Sequence, residues 1–130
     1  QNRMLWVMLA PVACAALLAA AFGAGAAAFF VAQACVAFAL LEAVNYVEHY
    51  GLVRARAADG RYERVRPEHS WNSSHLVSNW FLFNLQRHSH HHANVTRHYE
   101  DLEHREDAPQ LPWGYPAAIL VALVPPLWRR

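Results

Sequence analysis

The chain has 130 residues, 55% of them hydrophobic, and a formal net charge of +1. This length suits one ordinary domain, and a charge so near zero gives no indication of nucleic-acid binding. The two cysteines do not form a CxxC pair and imply no disulfide framework.

The N-terminal third of the chain predicts two membrane-spanning helices. Between Met4 and Leu41 there is no charged side chain, and this run is about twice the ~20 residues needed to cross a bilayer. The natural division is into spans at 4–22 and 26–44, with Gly23-Ala24-Gly25 as the turn. A secretory signal peptide is the alternative for the first segment, but the second apolar segment favours a helical hairpin. Arginines flank the hairpin on both sides, which predicts that both flanks are cytoplasmic.

The stretch from Asn45 to Gly51 follows the second span and has the sequence NYVEHYG. Continuation of the helix would place Asn45 and His49 on one face, four residues apart. A histidine at a membrane boundary is expensive to leave unpaired, which favours a functional role for His49 over an interfacial filler. Two roles fit Glu48 equally well: it could contact and support a functional histidine, or it could be a solvated residue at the membrane interface.

Residues 52–70 are rich in charged side chains and contain Asp59-Gly60, a turn signal. A β-hairpin and a solvated loop fit this composition equally well. The basic bias comes from five arginines and suits either anionic lipid or an acidic protein partner. These residues are Arg54, Arg56, Arg61, Arg64 and Arg66.

Large apolar and aromatic residues between Leu76 and Leu85 follow several possible helix N-caps in residues 67–75. They predict a helix that lies against the bilayer and delivers the next segment at its C-terminal end. For His75, a hydrogen-bonded position at the helix start is favoured over a metal ligand.

The most informative pattern is LQRHSHHH at residues 85–92, with four histidines in five positions. If this segment is helical, His88, His91 and His92 share one face and His90 points to the other side. Neutral imidazoles that converge on one point suit iron, zinc, copper and nickel. A surface histidine run or a purification tag is the alternative. The cluster is internal and follows an apolar run rather than a Gly/Ser linker, which favours metal binding.

The remainder of the chain predicts no second site. Residues 93–110 are polar, and a solvated segment is favoured there in spite of His98 and His104. Residues 111–130 contain an apolar stretch too short to span a bilayer, which predicts an interfacial or docked tail. The predicted fold is an all-α membrane protein, in which a transmembrane helical hairpin is joined to cytoplasmic or interfacial helices that carry the histidine cluster.

Taken together, these segments resemble the integral-membrane alkane 1-monooxygenases of the membrane desaturase and hydroxylase superfamily. The resemblance covers NYVEHYG at 45–51, SWNSSH at 70–75, LQRHSHHH at 85–92, LPWGYP at 111–116 and VPPLWRR at 124–130. The pattern HxxHH alone is shared with desaturases and fatty-acid hydroxylases. The NYxEHYG motif narrows the resemblance to alkane hydroxylases and relatives that act on alkyl side chains of aromatics.

This resemblance implies a non-haem diiron site, with two iron ions held by histidines. It implies hydroxylation of the terminal carbon of medium-chain n-alkanes with O2, and electrons from rubredoxin and its reductase. Carried over by position, the iron ligands are His49, His88, His91 and His92. The resemblance also implies a multi-pass protein surrounded by the lipid of the bacterial inner membrane, with the His-rich residues 45–110 in the cytoplasm.

The chain departs from the family pattern at several positions, among them Val95 and His98, which replace a typical Pro and Arg. It lacks the HExxHK and EHxxGHH boxes that supply most of the other iron ligands. We therefore expect residues 1–130 to be the C-terminal part of one diiron hydroxylase domain, inactive alone. His90 also stands where the family usually has Asp. Two alternatives remain open: a membrane-anchored metal-binding module without catalysis, and a related desaturase or alkyl-group hydroxylase.

Overall fold

The computed structural model describes residues 3–129, and this part of the chain is helical. Within it the only β-type pairings are two isolated bridges, Arg56 with Tyr62 and Asn72 with Gln110. The predicted all-α architecture is confirmed. The α-helices are α1 (Arg3–Phe22), α2 (Ala24–His49), α3 (Leu76–Phe81), α4 (His88–Ala93), α5 (Tyr115–Ala122) and α6 (Pro125–Trp128), with 3-10 helices at Pro67–His69 and Tyr99–Asp101.

The chain divides into two compact units, with the boundary between Leu41 and Glu42. The first unit contains α1 and most of α2, which are joined at Gly23. The φ of Gly23 is +88°, a left-handed conformation that glycine adopts without steric cost. The turn is one residue rather than the predicted three, because Ala24 and Gly25 already belong to α2.

Helices α1 and α2 are 20 and 26 residues long and apolar enough to cross a membrane. Their large side chains are exposed, as Trp6 (67%) and Phe29 (73%) illustrate. Exposed apolar surface on this scale is unfavourable in water and suits the hydrocarbon of a bilayer. Helix α2 continues past the predicted end at residue 44 to His49, so one unbroken helix carries the chain from the apolar run into the NYVEHYG motif.

The second unit is built on a small core that joins the end of α2 to α5. Its buried members are Val47, Leu111, Tyr115 and Ala118. Trp71 packs against this core, and its backbone carbonyl accepts a hydrogen bond from the Tyr115 hydroxyl at 2.7 Å. The core therefore ties the loop before α3 to both helices.

The chain turns back immediately after α2. Gly51, with φ +76°, lies two residues after the last helical residue, His49, in the left-handed conformation that commonly ends a helix. Trp71 then bonds back to the helix end, because its backbone N–H donates to the Glu48 carbonyl at 2.8 Å and its indole N–H donates to the Tyr50 carbonyl at 2.8 Å. Residues 52–70 are thus closed into a loop beside the end of α2.

The prediction of a single helix from Leu76 to Leu85 is wrong beyond Phe81, where α3 ends. Phe83 and Asn84 have φ of 50° and 58°, a left-handed conformation that breaks a right-handed helix. The backbone N–H of Asn84 closes the turn on the Asn79 carbonyl at 2.9 Å. The chain therefore reverses before it enters the histidine cluster.

Buried side-chain amides fix where α4 begins. The Gln86 side chain is fully buried; its oxygen accepts the Tyr115 backbone N–H, and its amide nitrogen donates to the Ser78 hydroxyl at 3.0 Å. The side-chain oxygen of Asn72 accepts the backbone N–H of Ser89 at 3.0 Å. This N–H lies in the first turn of α4 and has no acceptor within the helix, so Asn72 caps α4 from a distant part of the chain.

Candidate metal centre

His49 is the last residue of α2, and the helix backbone holds its ring in place. The ring Nδ1 donates to the Asn45 carbonyl oxygen at 2.9 Å. In the neutral ring this bond leaves the lone pair of Nε2 free for a metal. Asn45 and His49 lie four residues apart on the continuous helix α2, as predicted, and their contact uses the backbone of Asn45 rather than its side chain.

Helix α4 brings His88 and His92 to the same place, where they form a three-histidine group with His49. The two Nε2 atoms of His88 and His92 are 2.8 Å apart, and the Nε2 atoms of His92 and His49 are 3.3 Å apart. One ring nitrogen from each of the three residues lies within 4.8 Å of the others. The two predicted motifs therefore meet in space and present three nitrogen donors to one point.

Three neutral imidazoles cannot satisfy these contacts by hydrogen bonding alone. The proton of His49 is on Nδ1, so its Nε2 is an acceptor. The Nε2 of His92 faces both His88 and His49. If it carries a proton, it can donate to only one of them, and the contact with the other is left without a hydrogen bond. A cation between the rings would accept all three lone pairs and remove this conflict. The donor set therefore fits a transition metal with nitrogen ligands.

The environment of the group favours the neutral ring of His88 and His92. The pKa of His88 is lowered from 6.5 to about 3, mainly by burial and in addition by the positive charges of His92, His49 and His91. The pKa of His92 is also lowered, first by burial and then by His49 and His91. Neutral imidazole is the form that binds a metal, so His88 and His92 are available as ligands at neutral pH.

Glu48 contacts the other ring nitrogen of His88. Its Oε1 lies 3.2 Å from the His88 Nδ1. Both atoms are buried, and neither has a well-aligned hydrogen bond. Because His88 is neutral, this contact is not an ion pair. Burial raises the pKa of Glu48 to about 8, so Glu48 is ionised only above that pH or opposite a positive charge such as a metal-bound ring. In the ionised form its carboxylate would accept Nδ1–H and direct the His88 Nε2 lone pair toward His49 and His92. Of the two roles left open for Glu48, a contact to a functional histidine and a solvated interface position, its burial excludes the second.

The two other histidines of α4 lie outside the three-histidine group. His91 is exposed, with its ring centroid 6.0 Å from that of His88 and 5.9 Å from that of His92. His90 is buried, and its Nδ1 accepts the backbone N–H of Glu103 at 2.8 Å. His90 therefore points away from the group, as its position on the helix predicts.

His75 occupies the N-cap position of α3, but its side chain does not cap the helix. Its Nε2 donates instead to the Pro112 carbonyl at 3.2 Å, so the prediction of a hydrogen-bonded residue at the helix start is confirmed. His69 was not predicted as part of the site. Its Nε2 lies 3.2 Å from the Glu63 carboxylate. It stands alone in the sequence, without a second ligand at a metal-binding spacing that would have marked it.

A cavity of about 260 Å³ opens beside the three-histidine group. His49 and His92 form part of its wall, together with His69. Arg54 and Tyr62, from the arginine-rich loop, form another part. The cavity therefore joins the candidate metal centre to the loop that follows α2.

Several curated proteins are similar to this chain. Alkane 1-monooxygenase 2 of Pseudomonas aeruginosa is 61% identical over 109 residues, which cover 84% of this chain and 29% of that relative. Alkane 1-monooxygenase 1 of the same species is 50% identical over 129 residues, which cover 99% of this chain and 34% of that relative. The xylene/toluene monooxygenase hydroxylase component of Pseudomonas putida is 29% identical over 98 residues, 75% of this chain and 25% of that protein.

The chain thus spans about a third or less of the length of these relatives. The family profile described as fatty acid desaturase matches residues 1–121. This match includes both apolar helices and all three histidines of the candidate metal centre. The chain belongs to the fatty acid desaturase family.

Proposed function

We propose that this chain supplies one side of a non-haem diiron monooxygenase that hydroxylates the terminal carbon of medium-chain n-alkanes with O2. The observation that carries the proposal is the convergence of His49, His88 and His92, which come from the two motifs that resemble alkane 1-monooxygenases. Relatives named alkane 1-monooxygenase align with 84% and 99% of the chain, which supports the same reaction class.

The ligands that we assign to this chain are His49, His88, His91 and His92. Three of them already present nitrogens to one point. His91 adjoins them on α4 and would complete the set. Two bound iron ions would supply the redox chemistry that activates O2, which protein side chains alone do not provide.

The surrounding residues have definite tasks in this arrangement. The Asn45 carbonyl fixes the ring of His49, and Glu48 orients His88. Burial keeps His88 neutral at the pH of the cytoplasm. Helices α1 and α2 place the protein in the lipid phase into which alkanes partition. The chain thus contributes oriented neutral ligands and access from the membrane.

The overall reaction converts an alkane, O2, two electrons and two protons to a primary alcohol and water. We propose rubredoxin, reduced by its reductase, as the electron donor. This donor requires the His-rich residues 45–110 to face the cytoplasm, with the protein in the bacterial inner membrane as a multi-pass protein. Residues 1–130 then form part of one hydroxylase domain, with further iron ligands supplied from outside this segment.

The proposal is tested with the full-length, iron-loaded protein in membranes, supplied with reduced rubredoxin, octane and ¹⁸O2. We expect 1-octanol that carries one ¹⁸O atom. Absence of labelled alcohol, in a preparation shown to contain iron and to consume reductant, would refute the proposal. Full iron occupancy without oxidation of any hydrocarbon would favour the non-catalytic metal-binding module.

A second substrate class is favoured by one observation. The relative named as a xylene/toluene monooxygenase component aligns with 75% of the chain. We therefore include toluene in the same assay, where hydroxylation of the methyl group would yield benzyl alcohol. Product analysis also separates a desaturase, because desaturation yields an alkene without incorporation of labelled oxygen.

A further inference from the structure

Residues 54–66 form the most basic segment of the chain, which we call the arginine hairpin. The segment contains five of the eleven basic residues but only two acidic ones, Asp59 and Glu63. All five arginine side chains are exposed. Because the whole chain has a net charge of only +1, this positive charge is a local feature.

The hairpin has a defined fold although it contains no regular strand. The Ala57 N–H donates to the Arg61 carbonyl at 2.8 Å, and the Glu63 N–H donates to the Ala55 carbonyl at 3.0 Å. The Glu63 carboxylate accepts the Ala55 N–H at 2.7 Å and contacts His69 at 3.2 Å. Glu63 is thus engaged within the loop. The carboxylate of Asp59 lies 3.8 Å from Arg61, and that of Glu68 lies 3.6 Å from Arg66. The exposed surface keeps an excess of positive charge after these pairs.

Two of the guanidinium groups are held in place. Arg54 and Arg56 lie over the ring of Tyr62, at 5.4 and 5.7 Å from its centroid. Arg56 also donates from Nε to the Gly60 carbonyl at 2.9 Å. Ordered guanidinium groups bind carboxylates in a fixed, bidentate geometry. This order favours the carboxylates of a folded partner over the mobile headgroups of a lipid surface.

The hairpin is also adjacent to the metal centre. Arg54 and Tyr62 share one cavity with His49 and His92. A protein seated on the hairpin would therefore lie close to the three-histidine group. This adjacency has a chemical use, because the proposed hydroxylation consumes two electrons that neither the alkane nor O2 supplies.

We propose that the arginine hairpin is the docking surface for an acidic one-electron carrier protein, which reduces the metal centre across the cavity beside His49 and His92. Each hydroxylation takes two electrons from two reduced carriers, which leave oxidised, while two protons and one oxygen atom of O2 leave as water. This inference rests on the proposed function, since a non-catalytic metal site has no need of a reductant.

The test uses the full-length, iron-loaded protein with reduced rubredoxin as the probe. The variant Arg56→Gln/Arg64→Gln/Arg66→Gln removes three exposed charges, including one of the two ordered guanidinium groups, and leaves Arg54, which lines the cavity, unchanged. The matched control is Arg97→Gln, an exposed arginine outside the hairpin. We expect the KM for rubredoxin to rise roughly tenfold in the triple variant and its dependence on ionic strength to weaken. We expect kcat at saturating donor to change less than twofold.

The same variants distinguish the possible failures. An unchanged KM for rubredoxin in the triple variant would overturn the proposal. Activity that depends on phosphatidylglycerol in reconstituted vesicles, lost in the triple variant while the KM for the donor stays constant, would assign the hairpin to anionic lipid instead. The Kd of oxidised rubredoxin, measured directly, tests the hairpin without catalysis. A tenfold weaker Kd in the triple variant would support docking even where no alcohol forms, an outcome that counts only against the proposed hydroxylation.

Discussion

The Nδ1 of His88 lies 3.2 Å from the Oε1 of Glu48, and both side chains are buried. In metal sites, a carboxylate at this position fixes the tautomer and the orientation of the ligand. The neighbouring His49 obtains the same support from a backbone carbonyl at 2.9 Å. Two of the three rings therefore have an oxygen atom close to the Nδ1 that faces away from the group, and for His88 this oxygen belongs to a side chain that substitution can remove.

Replacement of Glu48 should weaken metal binding without removing a ligand. We expect Glu48→Ala to lower iron affinity roughly 10- to 100-fold. Glu48→Gln keeps an oxygen that accepts from the His88 Nδ1–H, so this variant should lose less iron affinity than Glu48→Ala. The measurement is iron bound per full-length protein during titration with a competing chelator. Equal, wild-type affinity in both variants would show that Glu48 does not orient His88.

His91 and His92 are neighbours in sequence but differ in their contacts. The Nε2 of His92 contacts the nitrogens of both His88 and His49, whereas His91 is exposed outside the group. His92→Ala should therefore cost more bound iron than His91→Ala, which leaves the three nitrogens in place. Metal analysis of the purified full-length variants measures this difference. The opposite order would place the tighter site on His91.

The departure at His90 has a structural explanation. Its Nδ1 accepts the Glu103 N–H in a buried setting, an acceptor role that an aspartate oxygen also fills. His90→Ala leaves this N–H unpaired and should lower the free energy of unfolding by about 1 to 3 kcal/mol. His90→Asp should retain most of the wild-type free energy of unfolding. Thermal unfolding in detergent, with iron content as a control, tests the pair. An alanine variant as stable as the wild type would contradict this role.

The sequence predicted the local features of this protein well. The uncharged run from Met4 to Leu41 forms two helices, and the predicted continuation of the second helix places Asn45 and His49 four residues apart on it. These features depend on residues within one or two helical turns. The i, i+3, i+4 pattern also placed three histidines on one face of α4, but it did not decide which of them meet His49.

Contacts between distant residues explain what sequence reasoning did not find. The helix predicted through Leu85 ends at Phe81 because the chain reverses at Asn84 and then buries Gln86 against Tyr115, 29 residues further along. The hydrophobic periodicity of a sequence does not indicate a contact between residues so far apart. The cavity beside His49 was missed for the same reason, since it is formed by loops that hydrogen bonds bring together.

The carboxylate of Glu63 should make the arginine hairpin sensitive to acid. The Ala55 N–H, followed by the charges on His69 and Arg66, lowers the pKa of Glu63 below its usual 4.5. A folded pKa below the unfolded value stabilises the hairpin above about pH 4.5, and this contribution is lost as the pH falls through the folded pKa. Hydrogen exchange in residues 54–66 should therefore increase at low pH relative to Glu63→Gln at the same pH. Parallel pH profiles for the two proteins would contradict the role of Glu63.

Close approach at Gly114 should make this position intolerant of a side chain. A Cβ atom there would overlap the Ser78 hydroxyl oxygen and would lie 3.2 Å from the Gln86 Oε1. Both neighbours belong to the network that fixes the start of α4, so Gly114→Ala should lower the free energy of unfolding by about 1 to 3 kcal/mol. The control is Gly25→Ala in α2, where a Cβ meets nothing within 4 Å and alanine favours the helix. Thermal unfolding in detergent compares the two. Because the Gln86 network precedes His88 directly, Gly114→Ala should also reduce bound iron, whereas full iron occupancy in a destabilised variant would show that the network and the metal centre are independent.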